Sequence, residues 1–226
     1  MSNDIHRDFE RVSSDLVRQA SEYQAAILAD VNGRRGALNG RITALRPRMK
    51  LAGPALTVDV RPGDNLMIHA AIAMAKPGDV LVIDGKGDLS AALMGTIMMT
   101  ACKQLGIAGV VIDGAVRDSL EIDEMDYPVF ACGTNPNGPT KNIAGRIGHP
   151  VSLGGVTVRA GDLIVADADG VVAIERARVQ ALLPQARKKV EDEAARVAAI
   201  KQGKTAASWL DSALRTAGVL KEGESL

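Results

Sequence analysis

Residues 95–118, which read GTIMMTACKQLGIAGVVIDGAVRD, constrain the fold of this chain more than any other stretch. Between Thr96 and Leu105, apolar residues recur at every third or fourth position, which predicts a helix. Gly106 is placed to end that helix. The continuous apolar run 108–112 is typical of a strand that is buried on both faces. A helix that leads directly into a buried strand predicts an α/β fold.

A loop is expected after this strand, over residues 113–118, and its charged side chains indicate a binding site. Ligands of open α/β sheets lie beyond the carboxyl ends of the strands, and free amides at a helix N-terminus attract anions. We therefore expect a carboxylate to be bound by four consecutive backbone amides, those of Gly95, Thr96, Ile97 and Met98. Arg117 adds a planar fork of donors, and Asp118 adds an oxygen ligand for Mg²⁺ or Mn²⁺.

The same residues also have a purely structural interpretation. Asp118 begins the sequence Asp-Ser-Leu-Glu, an acidic variant of the capping box, so its side chain can simply cap the next helix. Gly95 can end a loop and Arg117 can solvate it. The residues alone leave this choice open.

The pattern of a helix-opening glycine followed by GxxGxVxDGxxRD resembles the RraA-like family. This family includes the class II 4-hydroxy-4-methyl-2-oxoglutarate and 4-carboxy-4-hydroxy-2-oxoadipate aldolases, which are also oxaloacetate decarboxylases. Four further segments resemble family segments in the same order: PGDNLMIHAAI at 62–72, KPGDVLVIDG at 76–85, GPTKN at 138–142 and AGDLIVADADGVVAI at 160–174. The resemblance therefore covers most of the chain.

The resemblance implies a compact single-domain α/β fold, layered as an α/β/β/α sandwich with a C-terminal helical tail. We expect one domain over residues 1–226, with its core at about 25–175 and C-terminal helices over 176–217. Members of the family assemble as homotrimers or as hexamers made of two trimers, with sites between subunits. The same assembly is expected here.

Periodicity outside the main motif predicts several further elements. An apolar stripe predicts one helix over residues 8–30. Residues 51–60 and 80–83 read as strands, and the second is expected to end in an acidic turn at 84–88. Trp209 lies on a short C-terminal helix, where packing in the core or in an interface is expected.

The resemblance implies that the main candidate residues take part in the cleavage of a 4-hydroxy-2-oxo acid to pyruvate. The amides of residues 95–98 would bind the substrate carboxylate, Arg117 would contact the keto oxygen, and Asp118 would hold a divalent metal. Removal of the C4 hydroxyl proton breaks the C3–C4 bond and leaves a pyruvate enolate, whose charge Arg117 and the metal stabilise. Decarboxylation of oxaloacetate gives the same enolate.

Two positions depart from the aldolase pattern. Acidic residues of the aldolases fall at Thr96 and near Lys204 in this chain. Their loss would weaken metal binding and impair proton transfer, whereas decarboxylation needs no base for a hydroxyl group. Asn65 and His69 are second-tier candidates, because their segment lies near the family's site. A histidine beside apolar neighbours is otherwise more often a core or interface residue.

Composition argues against other classes of function. Lys+Arg and Asp+Glu both number 27, so no net charge attracts the chain to nucleic acid or to an anionic membrane. Aromatic residues make up 2%, which leaves few platforms for stacking bases. No apolar run has the length of a membrane span, and a cytoplasmic location is expected. No glycine-rich nucleotide fingerprint supports a menaquinone methyltransferase. The remaining alternative is a non-catalytic regulator of an RNA-processing endonuclease, a role known in the family.

Overall fold

The computed structural model describes residues 4–224 and 226 and divides the chain into two compact units, Met1–Ala186 and Arg187–Leu226. The strands of the first unit are, in chain order, β1 (Thr43–Ala44), β2 (Leu51–Asp59), β3 (Val80–Met94), β4 (Gly109–Val116), β5 (Val129–Thr134), β6 (Arg146–Ile147), β7 (Val151–Leu153), β8 (Val156–Val158), β9 (Leu163–Asp167) and β10 (Gly170–Ile174). Its helices are α1 (Ser14–Ala20), α2 (Ala25–Val31), α3 (Leu66–Met74), α4 (Thr96–Gln104) and α5 (Ser119–Glu124). The chain then forms a 3₁₀ turn (Arg176–Arg178) and a helix, α6 (Val179–Lys201), that extends into the second unit, where α7 (Leu210–Thr216) follows.

The main sheet has the strand order β1-β5-β4-β3-β2-β9-β10, with β6 paired to β2. Strands β2 to β5 are parallel, because the helices α3, α4 and α5 carry the chain back between them. The first half of β2 instead pairs antiparallel with β9. Strand β2 thus joins a parallel and an antiparallel part. The predicted mixed α/β fold is confirmed.

The helix predicted from residue 96 and its stop at Gly106 are both confirmed. Gly106 has φ +72°, and its amide donates to Lys103 O at 3.1 Å. The next amide, that of Ile107, donates to Cys102 O at 3.0 Å. These two bonds form a Schellman motif, which satisfies the last carbonyls of α4 before the chain enters β4.

Strand β4 is longer than its sequence predicts. All its residues are buried, and it includes Asp113, which was expected to begin a loop. Arg41 donates to both carboxylate oxygens of Asp113, from Nε at 3.0 Å and from Nη2 at 2.7 Å. Because the charge is paired, the carboxylate stays in the sheet. The acidic turn expected at 84–88 lies within β3 for a similar reason, since Lys86 Nζ bonds to Asp84 Oδ2 at 2.6 Å.

The single helix predicted over residues 8–30 is wrong, because this segment contains the two helices α1 and α2. Gln24 has an extended backbone between them, and the amide of Ala25 donates to Asp167 Oδ2 at 2.9 Å. A carboxylate from β9 thus satisfies the start of α2. Ala20, Ala25 and Leu28 are all buried, so the apolar stripe continues across the break and conceals it.

Three turns share the pattern of a basic residue followed by Pro or Ala, Gly and Asp, at 61–64, 76–79 and 159–162. In each, the glycine has a positive φ and the aspartate is buried. Asp79 and Asp162 accept a hydrogen bond from the amide three residues earlier in the chain, at 2.8 and 2.9 Å. The first turn connects β2 to α3.

The second unit contains the end of α6 together with α7. Trp209 precedes α7, and 65% of its surface is exposed, so the interpretation of Trp209 as a core residue is wrong. Its packing in an interface stays a prediction. Among the residues that the structure describes, no helix is both long and apolar enough to cross a membrane.

Candidate active site

A pocket of about 150 Å³ lies where β3 ends and α4 begins. Every residue predicted for the site lines it except Thr96: Asn65, His69, Gly95, Ile97, Met98, Arg117 and Asp118. Arg117 and Asp118 directly follow the last residue of β4. Asn65 directly precedes α3, and His69 lies within that helix. The structure therefore brings together groups that lie far apart in the sequence.

The backbone at Gly95 is in close contact with Arg117 and Asp118. A Cβ atom at this position would lie 2.3 Å from Asp118 Oδ2 and 3.0 Å from Arg117 Cγ. Any side chain at Gly95 would therefore displace the Asp118 carboxylate. The absence of a side chain at Gly95 therefore makes room for the Asp118 carboxylate and not directly for a ligand.

Asp118 does not act as a helix cap. It precedes α5 with φ +61° and ψ +42°, and its side chain makes no capping bond to that helix. Its Oδ2 atom instead accepts a hydrogen bond from the amide of Thr96 at 2.9 Å. A non-glycine residue in the left-handed region costs about 1–2 kcal/mol. The first turn of α4 offsets part of this cost, because its dipole stabilises a carboxylate there.

This contact changes the expected binding site for a ligand carboxylate. Of the four predicted amides, that of Thr96 already donates to Asp118. The first amides of a helix have no acceptor within the helix, so those of Ile97 and Met98 stay available for a ligand. Ile97 is 84% exposed, whereas Met98 is buried against the core.

The Arg117 guanidinium is available for an anionic ligand. Its Nε atom lies 3.7 Å from Asp118 Oδ2, which is an ionic contact too long for a hydrogen bond. A Cβ atom at Gly138 would lie 3.2 Å from Arg117 Nη1, so the loop after β5 borders the guanidinium. Within residues 4–224 and 226, no acceptor takes a hydrogen bond from this side chain.

Asn65 offers an unused acceptor in the pocket wall. Its Nδ2 atom donates to Leu93 O at 2.9 Å, while its buried Oδ1 atom has no hydrogen-bond partner among the described residues. A buried polar atom without a partner costs about 1–3 kcal/mol. His69, one turn further along α3, is exposed at the pocket, so its interpretation as a core histidine is wrong.

Lys141 and Pro139 also line the pocket, although neither was predicted as a site residue from the sequence. The sequence did contain a feature that could have indicated them, because both lie in the GPTKN segment that resembles the family. Lys141 is exposed, and within the described part of the chain no carboxylate lies close enough to form an ion pair with it. Its ammonium group is thus available to an anionic ligand.

Thr96 and Lys204, the two departures from the aldolase pattern, are not among the residues that line the pocket. Thr96 Oγ1 is buried without a hydrogen-bond partner among residues 4–224 and 226, and Thr96 does not line the pocket. Lys204 lies in the second unit, where its carbonyl accepts from Arg196 Nη1 at 2.8 Å.

The pocket offers few ligands for a metal ion. Asp118 is the one carboxylate among its lining residues, and the described residues contain no group of three or more His, Cys, Asp and Glu that could hold a metal. Mg²⁺ typically keeps several waters and takes one or two carboxylates together with substrate oxygens. The Asp118 carboxylate, with the unpaired Asn65 Oδ1 nearby in the wall, fits such a site if the substrate supplies further oxygens.

The chain is similar to known proteins over most of its length. The sequence profile of the RraA-like family, described as Aldolase/RraA, matches residues 14–173. A protein of Halalkalibacterium halodurans named "Putative 4-hydroxy-4-methyl-2-oxoglutarate aldolase" is 40% identical over 186 residues, which are 82% of this chain and 89% of that protein.

Two solved structures are similar over much of the chain. Streptomyces coelicolor RraAS2, described as an unusual member of the RNase ES inhibitor RraA protein family, has a TM-score of 0.77 and 29% identity over 84% of this chain and 99% of its own. A Geobacillus kaustophilus protein described as S-adenosylmethionine:2-dimethylmenaquinone methyltransferase has a TM-score of 0.63 and 35% identity over 67% and 94%. The profile match and the 40% identical relative show that the chain belongs to the RraA-like family.

Proposed function

We propose that this protein is a divalent-metal-dependent lyase that acts on a small 2-oxo acid. It would cleave a 4-hydroxy-2-oxo acid to pyruvate, decarboxylate oxaloacetate, or catalyse both reactions. The observation that carries the proposal is the pocket in which the Arg117 guanidinium, whose one ionic contact is Asp118 at 3.7 Å, lies at the N-terminus of α4. The name of the Halalkalibacterium relative supports the same class of reaction.

The binding roles follow from the donors that the pocket leaves free. A substrate carboxylate would bind the amides of Ile97 and Met98, where the α4 dipole is favourable. The Arg117 fork would contact the keto oxygen and stabilise the negative charge that develops there in the enolate. Asp118 would hold Mg²⁺ or Mn²⁺, which when bound supplies additional positive charge to that oxygen. Lys141 would attract the remaining anionic part of the substrate.

Decarboxylation of oxaloacetate is the reaction that the pocket supports best. It requires stabilisation of an enolate but no base for a hydroxyl group. Aldol cleavage requires such a base within hydrogen-bonding reach of the substrate, directly or through one water. Apart from Asp118, the lining residues offer His69 and Lys141 and no second carboxylate. Cleavage of a 4-hydroxy-2-oxo acid would depend on one of these groups or on a neighbouring subunit.

A homotrimer, or a hexamer of two trimers, is part of the proposal. Two large apolar side chains near the pocket are open to solvent, Ile97 at 84% and Leu120 at 68% exposure. Exposed apolar surface of this kind supports a subunit interface beside the site.

The direct test is pyruvate release from oxaloacetate and from 4-hydroxy-4-methyl-2-oxoglutarate, coupled to lactate dehydrogenase, with Mg²⁺ and with EDTA. We expect metal-dependent turnover of oxaloacetate above the rate with free Mg²⁺. Arg117→Ala removes a positive charge next to the developing enolate, and Asp118→Ala removes the carboxylate that would hold the metal, so each should lower kcat/KM by about 100-fold or more. Turnover of oxaloacetate alone would define a decarboxylase. No turnover of either substrate above free Mg²⁺ would refute the lyase.

A second function is favoured by one comparison, the similarity to RraAS2. In that case the protein would bind an RNA-processing endonuclease without catalysing a reaction. Binding to such an endonuclease that persists in EDTA and in Arg117→Ala would favour this role. Methyl transfer is not proposed, because the turn after β2 reads Arg-Pro-Gly-Asp and lacks the glycine-rich nucleotide fingerprint.

A further inference from the structure

We propose that Asp64 is a positioning residue of the pocket. Its buried carboxylate holds the loop 138–143 so that Lys141 lies in the pocket with Arg117 and Asp118. The effect of Asp64 on catalysis rests on the function proposed above, whereas its effect on the position of Lys141 can be measured independently of any activity.

The hydrogen bonds to Asp64 lie on both sides of Lys141. Its Oδ2 atom accepts from Thr140 Oγ1 at 2.7 Å, from the amide of Asn142 at 2.7 Å and from the amide of Ile143 at 3.2 Å. The residues immediately before and after Lys141 are thus bound to one carboxylate. This arrangement fixes the backbone from which the lysine side chain enters the pocket.

Few other interactions hold this part of the loop. The backbone of Thr140 bonds to the turn before α3, with its amide donating to Gly63 O at 2.8 Å and its carbonyl accepting from the amide of Asn65 at 3.0 Å. Within residues 4–224 and 226, the amides of Asn142 and Ile143 have no acceptor other than Asp64. Thr140, Lys141 and Asn142 are exposed, so burial contributes little to their position.

The hydrogen bonds also keep Asp64 ionised. Burial alone raises the pKa of this carboxyl, but the bonds from Asn142, Thr140, Leu66 and Ile143 bring its pKa down to about 2. At neutral pH the bonds to the loop are therefore charge-assisted, and such bonds are roughly twice as strong as neutral ones. An amide in place of the carboxylate would lose this charge and would direct an N–H group at one of the donors.

Asp79 provides a matched control. It occupies the same position in a turn of the same pattern, and its side chain is completely buried. Its partners are Arg11 Nε at 2.6 Å and the amide of Lys76 at 2.8 Å, and it does not line the pocket. Asp79→Asn therefore removes a buried, hydrogen-bonded carboxylate of the same kind without changing the loop that carries Lys141.

The first measurement follows Lys141 itself. Lysines of the full-length protein are reductively methylated with ¹³C-formaldehyde, and the Lys141 signal is assigned by its loss in Lys141→Arg. We expect this signal to shift in Asp64→Asn, and also in Thr140→Val, which removes the hydroxyl that donates to Asp64 Oδ2 and lies 3.3 Å from Gly63 O but keeps the carboxylate. It should be unchanged in Asp79→Asn. An unchanged Lys141 signal in folded Asp64→Asn and Thr140→Val would overturn the proposal.

The second measurement is kinetic. We expect Asp64→Asn to lower kcat/KM for oxaloacetate by up to about 100-fold, with the same division between kcat and KM as Lys141→Ala. The double variant of Asp64 and Lys141 should be no slower than Lys141→Ala, because two residues that act through one group are not additive. Full additivity would contradict the positioning role. If the wild-type protein proves inactive, the proposed function fails, and the methyl-lysine signal still decides the role of Asp64.

Discussion

At the scale of single residues, the site is organised by contacts among groups that are close in space and distant in sequence. Gly95 is required because the Asp118 carboxylate and the Arg117 stem occupy the space of its missing side chain. The Asp118 carboxylate accepts a hydrogen bond from the amide of Thr96, and this bond holds it beside Arg117. The left-handed backbone at Asp118 is part of the same arrangement.

Gly95→Ala should therefore damage the site more than the fold. The new methyl group would lie 2.3 Å from Asp118 Oδ2 and would displace that carboxylate. We expect kcat/KM to fall by about 100-fold, as for other misplacements of about 1 Å in a reacting group. The measurement is oxaloacetate turnover with Mg²⁺ beside thermal unfolding. Gly40→Ala is the control, because a Cβ at Gly40 meets no atom within 4 Å. Equal kinetics for the two variants would contradict the assignment of Asp118.

The sequence was informative about which residues line the pocket and less informative about how they interact. The positions of Gly95, Arg117 and Asp118 followed from a strand that ends next to a helix start. The choice between helix cap and site ligand for Asp118 could not be made from the sequence, because it depends on the distance to Thr96. Lys141 was missed because a loop without periodicity does not indicate which of its side chains face a pocket.

At the scale of elements, buried carboxylates inside strands are the feature that the sequence does not reveal. In β4, Asp113 is buried and ionised, because Arg41 donates to both of its oxygens and the amide of Gly154 donates at 3.1 Å. Burial alone raises the pKa of Asp113, but the Arg41 guanidinium, followed by the Gly154 amide, lowers it below its usual value. An acidic residue after an apolar run therefore does not mark the end of the strand here.

Replacing Arg41 by Met should leave Asp113 buried without its cation. We expect a loss of about 1–3 kcal/mol in the free energy of unfolding at pH 7. The folded-state pKa of Asp113 is depressed, so the stability that it contributes is present above its unfolded pKa of about 3.9 and is lost as the pH falls below that value. The difference between wild type and Arg41→Met should thus be largest near pH 7 and should decrease as the pH falls toward pH 3.

Denaturant unfolding between pH 3 and pH 7 measures this difference. Arg18→Met is the control, because Arg18 pairs with Asp15 on the surface, where both side chains are mostly exposed. Such a surface pair contributes at most about 1 kcal/mol. A difference for Arg41→Met that stays constant with pH would show that the Arg41 side chain stabilises β4 by packing and not by its charge.

At the scale of the whole molecule, the sequence predicted the fold class and most elements, because periodicity and buried runs depend on neighbours along the chain. The sequence did not predict the boundaries of elements that depend on contacts with residues distant in the chain. Asp167 caps α2 and separates two helices whose apolar stripe looks continuous. Strand β2 changes partner from β9 to β3 along its length, and no local pattern indicates such a change. These features depend on contacts between residues that are far apart in the sequence.

The second unit has large apolar side chains that are open to solvent. The buried residues of α6 are Val179, Leu182, Leu183 and Ala186, all before the second unit begins. After that point its large apolar residues and Trp209 are open to solvent, with Val197 at 49% and Trp209 at 65% exposure. Such side chains are explained if they pack against another subunit. They contribute little burial within the described chain.

A protein that ends at Ala186 should therefore keep the first unit folded and lose part of its assembly. We expect its unfolding temperature at low protein concentration to change by no more than about 2–4 °C, which corresponds to about 1 kcal/mol for a chain of this size. Sedimentation should give a smaller oligomer than the full-length chain forms. Full-length protein with Trp209→Ser separates the two effects, because it keeps the helix and removes only an exposed aromatic side chain. An unchanged sedimentation coefficient, after correction for the lost mass, would assign assembly to the surface around Ile97 and Leu120 instead.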